Sequence, residues 1–494
     1  SSVMLLSRQM FSFCTSEEPM LERSIPVVVS LLVLLAGAGC PADETEESNS
    51  ADASDTSDVI ADVGDSDDGD MADSDDEDAG RDTMADGSDT GGGDVSIPDS
   101  TDHFEWVRYN DWEFGQSSFA DIDIGPDGGV YVAGVAQSAP DEPTPDDVAP
   151  NGVIAKYAAD GTFQWAHVVE ATVDNQLTAL HVDDAGTARA VGWGSSGDAE
   201  SEFWSEHTAF MVEVTSDGDL ESREEILAEG TATPLDISFL DNDPVVVGTG
   251  EADSFASSDK TGQFGFVSRL NPETAETRWI TFLGAEAPTS ARSLAILDGT
   301  IPFRTPVLSE EGDRPYRTTL YAVEGDGSPN NGNSIPITGE GELPHVSISD
   351  DRVRLGGRRQ SSEGNDLNAY TAGGSPVYPV AMFKADFGTD GLDYVTDVEN
   401  ELTGSRAWYV GRQNVNETTD ESSAFAARYD ESGSQLAQIV FGDEHPAGTT
   451  PRGVAVTSDG TVYIAGGTFT PFGVDERFGS QAGFVGQLRT DSGP

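Results

Sequence analysis

Apolar and polar residues alternate in short runs along residues 104–494, and many of these runs end at a turn containing aspartate and glycine. SFADIDIGPDGGVYVAG at 118–134 and RGVAVTSDGTVYIAG at 452–466 share one plan: a strand, an Asp-Gly turn, a second strand and a glycine. Alternation with a period of two indicates β-strands, and Asp-Gly pairs supply the positive φ that tight hairpins need. The pattern therefore predicts an all-β domain built from hairpins.

A second phrase follows the first in several repeats, and it adds a third strand and another turn. Examples are GVIAKYAADGTFQW at 152–165, AFMVEVTSDGDL at 209–220, GFVSRLNPETAETRW at 265–279 and AFAARYDESGSQL at 424–436. The unit returns about every 55 residues, which is typical of the four-stranded blades of a β-propeller. We predict seven blades, within a range of six to eight, from units at 106–164, 165–223, 224–278, 279–333, 334–393, 394–437 and 438–494.

The two ends of the repeat region complement each other. Internal units continue after the second phrase with a further strand, such as FQWAHVV at 163–169, whereas the last unit has only GFVGQLRTDSGP. The missing strand is present at the other end, as FEWVRYNDWEFG at 104–115. We therefore predict that the N-terminal strand closes the last blade and leaves no open sheet edge.

Two phrases resemble known propeller repeats. SDGTVYIAGGT and GFVSRLNPETAETRWITFLG resemble the bacterial β-propeller repeat known as SBBP, which occurs in secreted and surface proteins. ADGTFQW and PETAETRW also resemble the tryptophan-ending repeats of quinoprotein-like propellers, which include outer-membrane assembly lipoproteins. The repeat length favours the first family. Both resemblances imply a propeller, and neither implies a catalytic residue.

The first residues resemble an export signal. MLERSIPVVVSLLVLLAGAGC at 20–40 has an arginine, an apolar run and small residues before a cysteine, as in bacterial lipoprotein signals. Gly37 stands where that family usually has leucine. The resemblance implies that Cys40 is lipidated and holds the chain at the cell envelope, at the outer membrane or the cell surface. We assign 1–19 to a miscalled start and 20–39 to the signal peptide; a retained membrane anchor is the alternative.

Residues 40–102 form an acidic stretch ahead of the repeats at 103–494. Between 41 and 102, 23 aspartates and glutamates stand against Arg81 alone, and there is no aromatic residue. Such a segment cannot bury enough apolar area to fold, so we predict a disordered tether. Its acidic runs lack the ligand spacing of a helix-loop-helix calcium site. We predict no cofactor, with calcium as the one metal left open.

The charge and cysteine content of the repeats exclude some functions. Residues 103–494 hold 64 acidic and 22 basic residues, so the surface repels phosphates and nucleic acid is not an expected partner. Cys14 and Cys40 are the only cysteines, so the repeats contain no disulfide or thiolate site. We expect a monomer that binds the membrane through its lipid and takes a protein or glycan ligand.

Few residues in the repeats form a catalytic or binding motif. The six histidines form no HExxH, and neither a GxSxG elbow nor a phosphate-binding loop is present. Three tryptophans recur at one phase and fit packing between blades: Trp106, Trp165 and Trp279. Trp204 lies in a polar stretch and is a candidate contact residue.

An arginine-rich segment, DRVRLGGRRQ, interrupts the acidic repeats. Its arginines are Arg352, Arg354, Arg358 and Arg359. We expect them either to balance the charge of neighbouring blades or to contact an anionic ligand near the propeller mouth.

Three functions remain open at this point. The first is a lipid-anchored cell-surface propeller that serves as a binding or scaffold module and carries no catalytic residue. The second is a polysaccharide lyase or glycosidase with its site in the central channel. Converging carboxylates, histidine and arginine with shifted pKa values would favour this enzyme, whereas a channel lined by small or apolar residues would favour binding. The third is an outer-membrane assembly factor with an apolar patch on one face.

Overall fold

The computed structural model describes part of the repeat region. The described residues are 103–110, 114–138, 150–169, 174–195, 207–227, 231–251, 263–283, 293–294, 300–307, 317–328, 335–337, 341–349, 352–360, 367–374, 383–387, 392–401, 405–416, 421–442, 448–469, 472 and 481–490. Backbone contacts divide the chain into Ser1–Ser88 and Asp89–Pro494, and every described residue belongs to the second unit. The predicted signal peptide, Cys40 and the acidic tether lie outside the described residues and stay predictions.

Strands and turns account for the described residues, which contain no helix that could span a membrane. The strands are β1 (Phe104–Tyr109), β2 (Phe114–Ile124), β3 (Val130–Ser138), β4 (Pro150–Tyr157), β5 (Phe163–Val169), β6 (Asn175–Val182), β7 (Ala188–Ser195), β8 (His207–Val214), β9 (Leu220–Glu225), β10 (Ala232–Leu240), β11 (Asp243–Glu251), β12 (Gln263–Leu270), β13 (Thr277–Leu283), β14 (Thr300–Val307), β15 (Arg317–Glu324), β16 (Ile335–Ile337), β17 (Gly341–Ser349), β18 (Arg352–Gln360), β19 (Leu367–Gly374), β20 (Phe383–Phe387), β21 (Leu392–Asn400), β22 (Arg406–Asn416), β23 (Glu421–Asp430), β24 (Gln435–Phe441), β25 (Thr450–Val456), β26 (Val462–Thr468) and β27 (Ala482–Leu488). The all-β prediction is confirmed.

Within the described residues the strands form seven antiparallel sheets, six of four strands and one of three. We number the sheets along the chain: sheet 1 is β2–β5, sheet 2 is β6–β9, sheet 3 is β10–β13, sheet 4 is β14–β16, sheet 5 is β17–β20, sheet 6 is β21–β24, and sheet 7 is β25–β27 with β1. Neighbouring strands of a sheet are consecutive in sequence everywhere except at β1. Each sheet is therefore a meander of hairpins, as the Asp-Gly turns predict.

The first and last strands of the repeat region pair with each other. In β1 and β27, Trp106 lies opposite Gln487 and Tyr109 lies opposite Phe484. The predicted pairing is confirmed. The predicted unit boundaries are wrong by one strand, because the residues from 165 onward were assigned to the second unit although β5 pairs with β4. The tight turn at Gly161 folds this fourth strand back onto its own sheet.

Contacts between sheets run all the way round the unit. The strand β2 contacts β6 on one side and β25, β26 and β27 on the other, so sheet 1 lies between sheets 2 and 7. First strands also meet between sheets 2 and 3, 4 and 5, 5 and 6, and 6 and 7. Sheets 3 and 4 share an apolar cluster that includes Val245, Leu294 and Val323. The sheets thus form a ring with their first strands innermost, which is the arrangement of a β-propeller.

Among the described residues a β-bulge interrupts the first strand of six sheets, and in five of these it lies opposite a glycine whose added Cβ would overlap a first-strand carbonyl oxygen. An added Cβ at Gly134 would lie 2.1 Å from the carbonyl oxygen of Ser118, and one at Gly411 would lie 2.1 Å from that of Tyr394. The equivalent glycines in sheets 2, 3 and 7 are Gly192, Gly248 and Gly466. The close contact is within one sheet, because the bulge displaces the first-strand carbonyl toward the second strand.

Three tryptophans each join one sheet to the next, and we call this contact the clasp. The Nε1 of Trp165 in sheet 1 donates to the carbonyl oxygen of Ser216 in sheet 2 at 2.9 Å, and its ring covers Gly218. Gly218 has a φ of 92°, which leaves its α-carbon open to the ring. The same pair of contacts joins Trp106 to Ala159 and Gly161, and Trp279 to Gly325 and Gly327. The prediction that these tryptophans pack between blades is confirmed.

Gly218 tests the clasp, because an added Cβ there would lie 2.8 Å from ring carbons of Trp165. We expect Gly218→Ala to lower the free energy of unfolding by about 2–4 kcal/mol through backbone strain and overlap with the ring. Gly460 is the matched control, since its φ is 89° and no atom lies within 4 Å of an added Cβ. Gly460→Ala should cost about 1–2 kcal/mol in the same urea titration. Equal losses of unfolding free energy in the two variants would contradict a close contact between Trp165 and Gly218.

Candidate functional site

Carboxylates recur at one position of the innermost strands. Asp121, Asp236 and Asp397 each follow the bulge in the first strand of sheets 1, 3 and 6. Two residues further along, Asp123 and Glu399 occupy a second level in sheets 1 and 6. A bulge re-aims the side chains next to it, so these carboxylates leave the ordinary alternation of the strand and face the neighbouring sheet.

Each of the four aspartates joins two adjacent sheets through backbone hydrogen bonds. Asp121 accepts the N–H of Ile122 in its own strand at 2.8 Å and the N–H of Leu180 in β6 at 2.7 Å. The same arrangement joins Asp123 to Ile124 and Val182, Asp236 to Ile237 and Leu294, and Asp397 to Val398 and Val454. We call these contacts the seam bonds.

The seam bonds satisfy backbone N–H groups that have no hydrogen-bond partner within their own sheet. The innermost strand of a sheet has one edge without a strand partner, and its N–H groups need acceptors once they are shielded from water. Serines take the same place at other seams: Ser293 accepts the N–H of Val346 at 3.2 Å, and Ser347 accepts that of Asn400 at 3.2 Å. The inner polar residues therefore hold adjacent sheets together.

Burial raises the pKa values of the inner aspartates. It raises the pKa of Asp236 to about 6 and is the main cause that raises that of Asp397 to about 7. Burial likewise raises the pKa of Asp121, and the charges of Asp397 and Asp236 add to this effect. These three aspartates lie on the innermost strands of sheets 1, 3 and 6, which surround a common central channel.

Glu399 has a strongly raised pKa. Burial is the main cause that raises it to about 8, and the charges of Asp397 and Asp123 contribute. The hydroxyl of Ser347 donates to Glu399 Oε2 at 3.1 Å. Glu399 is therefore mostly protonated at pH 7 and adds little negative charge to the second level.

Two histidines lie beside the carboxylates. His181 Nδ1 is 3.5 Å from Asp123 Oδ2, and His345 Nδ1 is 3.8 Å from Asp397 Oδ1. Burial raises the pKa of Asp123, and His181 opposes this rise. A search of the described residues finds no group of three or more His, Cys, Asp or Glu side chains placed to hold a metal ion.

The residues at five of the bulges differ in chemical type from the carboxylates of the channel. They are Ala120, Thr178, Leu235, Thr396 and Arg452. Small or apolar side chains thus alternate with carboxylates and one arginine, so the lining combines the two patterns expected for a binding module and for an enzyme. The chemistry it supports is hydrogen bonding, proton exchange at Glu399 and Asp397, and contact with an anion at Arg452.

The arginine-rich segment forms β18, the second strand of sheet 5. Arg354 is buried, with 2% of its surface exposed. The pKa of Asp430 in sheet 6 is lowered mainly by the hydroxyl of Ser432 and by backbone N–H groups, and the charge of Arg354 contributes. The side chains of Arg352, Arg358 and Arg359 lie outside the described residues, as does Trp204. Anion contact at these residues stays a prediction.

The sequence analysis missed the seam carboxylates, although a signal is present. Each follows the bulged residue in a short phrase of the first strand: ADID at 120–123, LDIS at 235–238 and TDVE at 396–399. In a chain with 90 acidic residues such phrases do not stand out until the strands are aligned by their bulges.

Glu399 offers a test of the channel electrostatics. The folded chain holds the Glu399 proton up to about pH 8, whereas an ordinary glutamate loses it near 4.5, so stability falls as the pH rises between these values. We expect Glu399→Gln to raise the free energy of unfolding by about 1–3 kcal/mol at about pH 8.5 and to change it little at about pH 5.

Glu224→Gln is the control, because Glu224 is an exposed residue of the outer strand β9 and its replacement makes the same chemical change outside the channel. Urea titrations of both variants across this pH range give the comparison. An equal effect of the two substitutions, or no pH dependence for Glu399→Gln, would contradict the raised pKa.

Comparison with known proteins gives weak likenesses to propellers. No family model and no curated protein matches the chain. The Dos1 propeller is similar at 10% identity over 74% of this chain and 78% of that chain, with a TM-score of 0.42. The β-propeller domain of the Trilobed protease from Pyrococcus furiosus is similar at 12% identity over 74% and 98%, with a TM-score of 0.40. The Pan2 WD40 domain of Neurospora crassa is similar at 12% identity over 59% and 85%, with a TM-score of 0.36. All three scores are below 0.5, so the fold rests on the pairings and contacts above.

Proposed function

We propose that this chain is a lipid-anchored cell-surface β-propeller that acts as a binding or scaffold module. The observation that carries the proposal is the engagement of the seam carboxylates. Both oxygens of Asp121, Asp123, Asp236 and Asp397 accept backbone N–H groups, so these residues act in holding the ring. A rigid ring that presents loops suits recognition, because loops on a fixed scaffold are common binding elements.

The proposal includes seven blades. Seven sheets within the described residues support this count, although sheet 4 has only three strands there. Leu294 donates its N–H to Asp236 as Leu180 does to Asp121 and Val454 to Asp397. Leu294 therefore occupies the place that first-strand residues take in the neighbouring sheets.

The anchoring part of the proposal comes from the sequence. The apolar run before Cys40 supports export and lipidation, and the acidic residues 41–102 support a tether that holds the propeller away from the envelope. We propose that the propeller is monomeric and that the loops predicted from the sequence between second and third strands, such as 135–150 and 195–208, receive the protein or glycan partner.

A polysaccharide lyase or glycosidase is the second candidate. The observation that favours it is Glu399, whose carboxyl group has a pKa of about 8 beside Asp397, with a pKa of about 7. A carboxylic acid that keeps its proton at neutral pH suits general acid catalysis, and a nearby carboxylate suits the base. The seam bonds of Asp397 count against this role, since both of its oxygens already accept backbone N–H groups.

Lipid anchoring can be tested by expressing the full chain in a bacterial host. We expect the mature protein to begin at an acylated Cys40 in mass spectra and to partition into detergent, because acyl chains bury many CH₂ groups. Cys40→Ser should move the protein to the aqueous phase, whereas Cys14→Ser, upstream of the predicted signal, should change nothing. An unmodified Cys40 in the membrane fraction would refute the anchor.

Binding can be tested with soluble glycans of stated composition. The full chain is heated with polygalacturonate, with a neutral mannan or with calcium alone, and the melting temperature is recorded. A binding module should show a rise of a few degrees with at least one glycan, because a ligand that binds only the folded state stabilises it. New reducing ends or unsaturated sugars in the same mixtures, absent with Glu399→Gln, would favour the enzyme instead.

A further inference from the structure

One arginine of the innermost strands projects into the channel. Arg452 is the bulged residue of β25, at the register shift between Pro451 and Gly453. Its two neighbours are buried and Arg452 itself is exposed. A side chain that is exposed between two buried neighbours on an innermost strand points into the space that the first strands surround.

Sheet 6 places a second arginine and a tyrosine next to Arg452. In that sheet Tyr394 lies opposite Arg412 in the register of β21 and β22. Arg412 donates from Nη1 to the Tyr394 hydroxyl at 3.1 Å and from Nε to Ser422 Oγ at 2.8 Å. The Thr396 hydroxyl donates to the carbonyl oxygen of Pro451 at 2.6 Å, which fixes β25 against β21 at this point.

Arg452 differs from cations that pair with a nearby carboxylate. Lys156 and Arg269 lie 2.7 Å from the carboxylates of Asp127 and Asp243. No hydrogen bond or ion pair to the side chain of Arg452 occurs within the described ranges. Although Arg452 is exposed to the channel, the protein around it displaces water and lowers its pKa; Tyr394 raises this pKa and the charge of Arg412 lowers it. In a domain with 64 acidic residues, Arg452 thus places a positive charge next to a second guanidinium group.

We propose that Arg452, Arg412 and Tyr394 form a binding site for a single carboxylate group of a small ligand. The planar guanidinium group matches the two oxygens of a carboxylate, and the bound charge relieves the repulsion between the arginines. The acidic surface repels polyanions, so the ligand carries one isolated carboxylate, as in a sugar acid or the end of a short peptide. This inference rests on the binding function proposed above and gives it a ligand class.

Calorimetry with the full chain tests the site. The probes are galacturonate and N-acetylglycine, and their controls are the methyl ester of galacturonate and N-acetylglycinamide. We expect at least one acid to bind with a Kd below about 1 mM at low salt, more weakly at high salt, and its uncharged control not to bind. The acid that binds distinguishes a sugar ligand from a peptide end.

Arg452→Gln should weaken binding of that acid at least about ten-fold, because it removes a charge-assisted pair of hydrogen bonds. Arg406→Gln is the control, since Arg406 is an exposed arginine at the start of β22. Its binding should equal that of the wild type. Binding that survives Arg452→Gln unchanged, or that the uncharged controls share, would overturn the site.

Chemical modification gives a second readout that does not depend on a folded variant. Phenylglyoxal reacts with accessible arginines, and we expect the bound acid to slow modification of Arg452, mapped by mass spectrometry, while Arg406 reacts at an unchanged rate. Absence of protection at saturating acid would overturn the proposal. If neutral mannan raises the melting temperature and neither acid binds, the binding module is supported and only the carboxylate site is refuted.

Discussion

The fold depends on the hydrogen bonds that cross from one innermost strand to the next. In a ring of separate sheets, every innermost strand has an edge whose N–H groups have no strand partner. Asp121 shows the solution, since its carboxylate accepts one N–H from its own strand and one from β6. The bulge aims the carboxylate, and Gly134 makes room for the bulge. The bulge, the glycine opposite it and the aspartate after it therefore all contribute to the same seam bond.

These contacts have an electrostatic consequence. Burial of these carboxyl groups disfavours their ionised forms, so the pKa values of Asp236, Asp397 and Glu399 rise, and neighbouring carboxylates add to the rise at Asp397 and Glu399. Serine at position 293 gives a seam bond without charge, and glycine at position 453 lets the strands approach closely. The seams between sheets therefore contain both charged and neutral residues. Arg452 adds positive charge to the channel.

Much of the fold could be predicted from the sequence, whereas the site could not. Alternating residues and Asp-Gly turns predicted the hairpins, and the recurrence of Trp165 predicted the clasp, because both signals are local. The unit boundaries were wrong by one strand, since a strand that ends one repeat and a strand that begins the next read alike. Asp397 and Arg452 were missed because their roles depend on a bulge and on a neighbour more than fifty residues away. Such contacts leave no local pattern.

Amide hydrogen exchange in Asp397→Ala tests the seam bonds most directly. The N–H of Val454 donates to Asp397 at 2.9 Å, whereas that of Leu180 donates to Asp121 in another seam. The account predicts that Val454 loses protection in the variant while Leu180 keeps it. Unchanged protection at Val454, or an equal loss at both amides, would contradict the claim that these carboxylates hold adjacent sheets together.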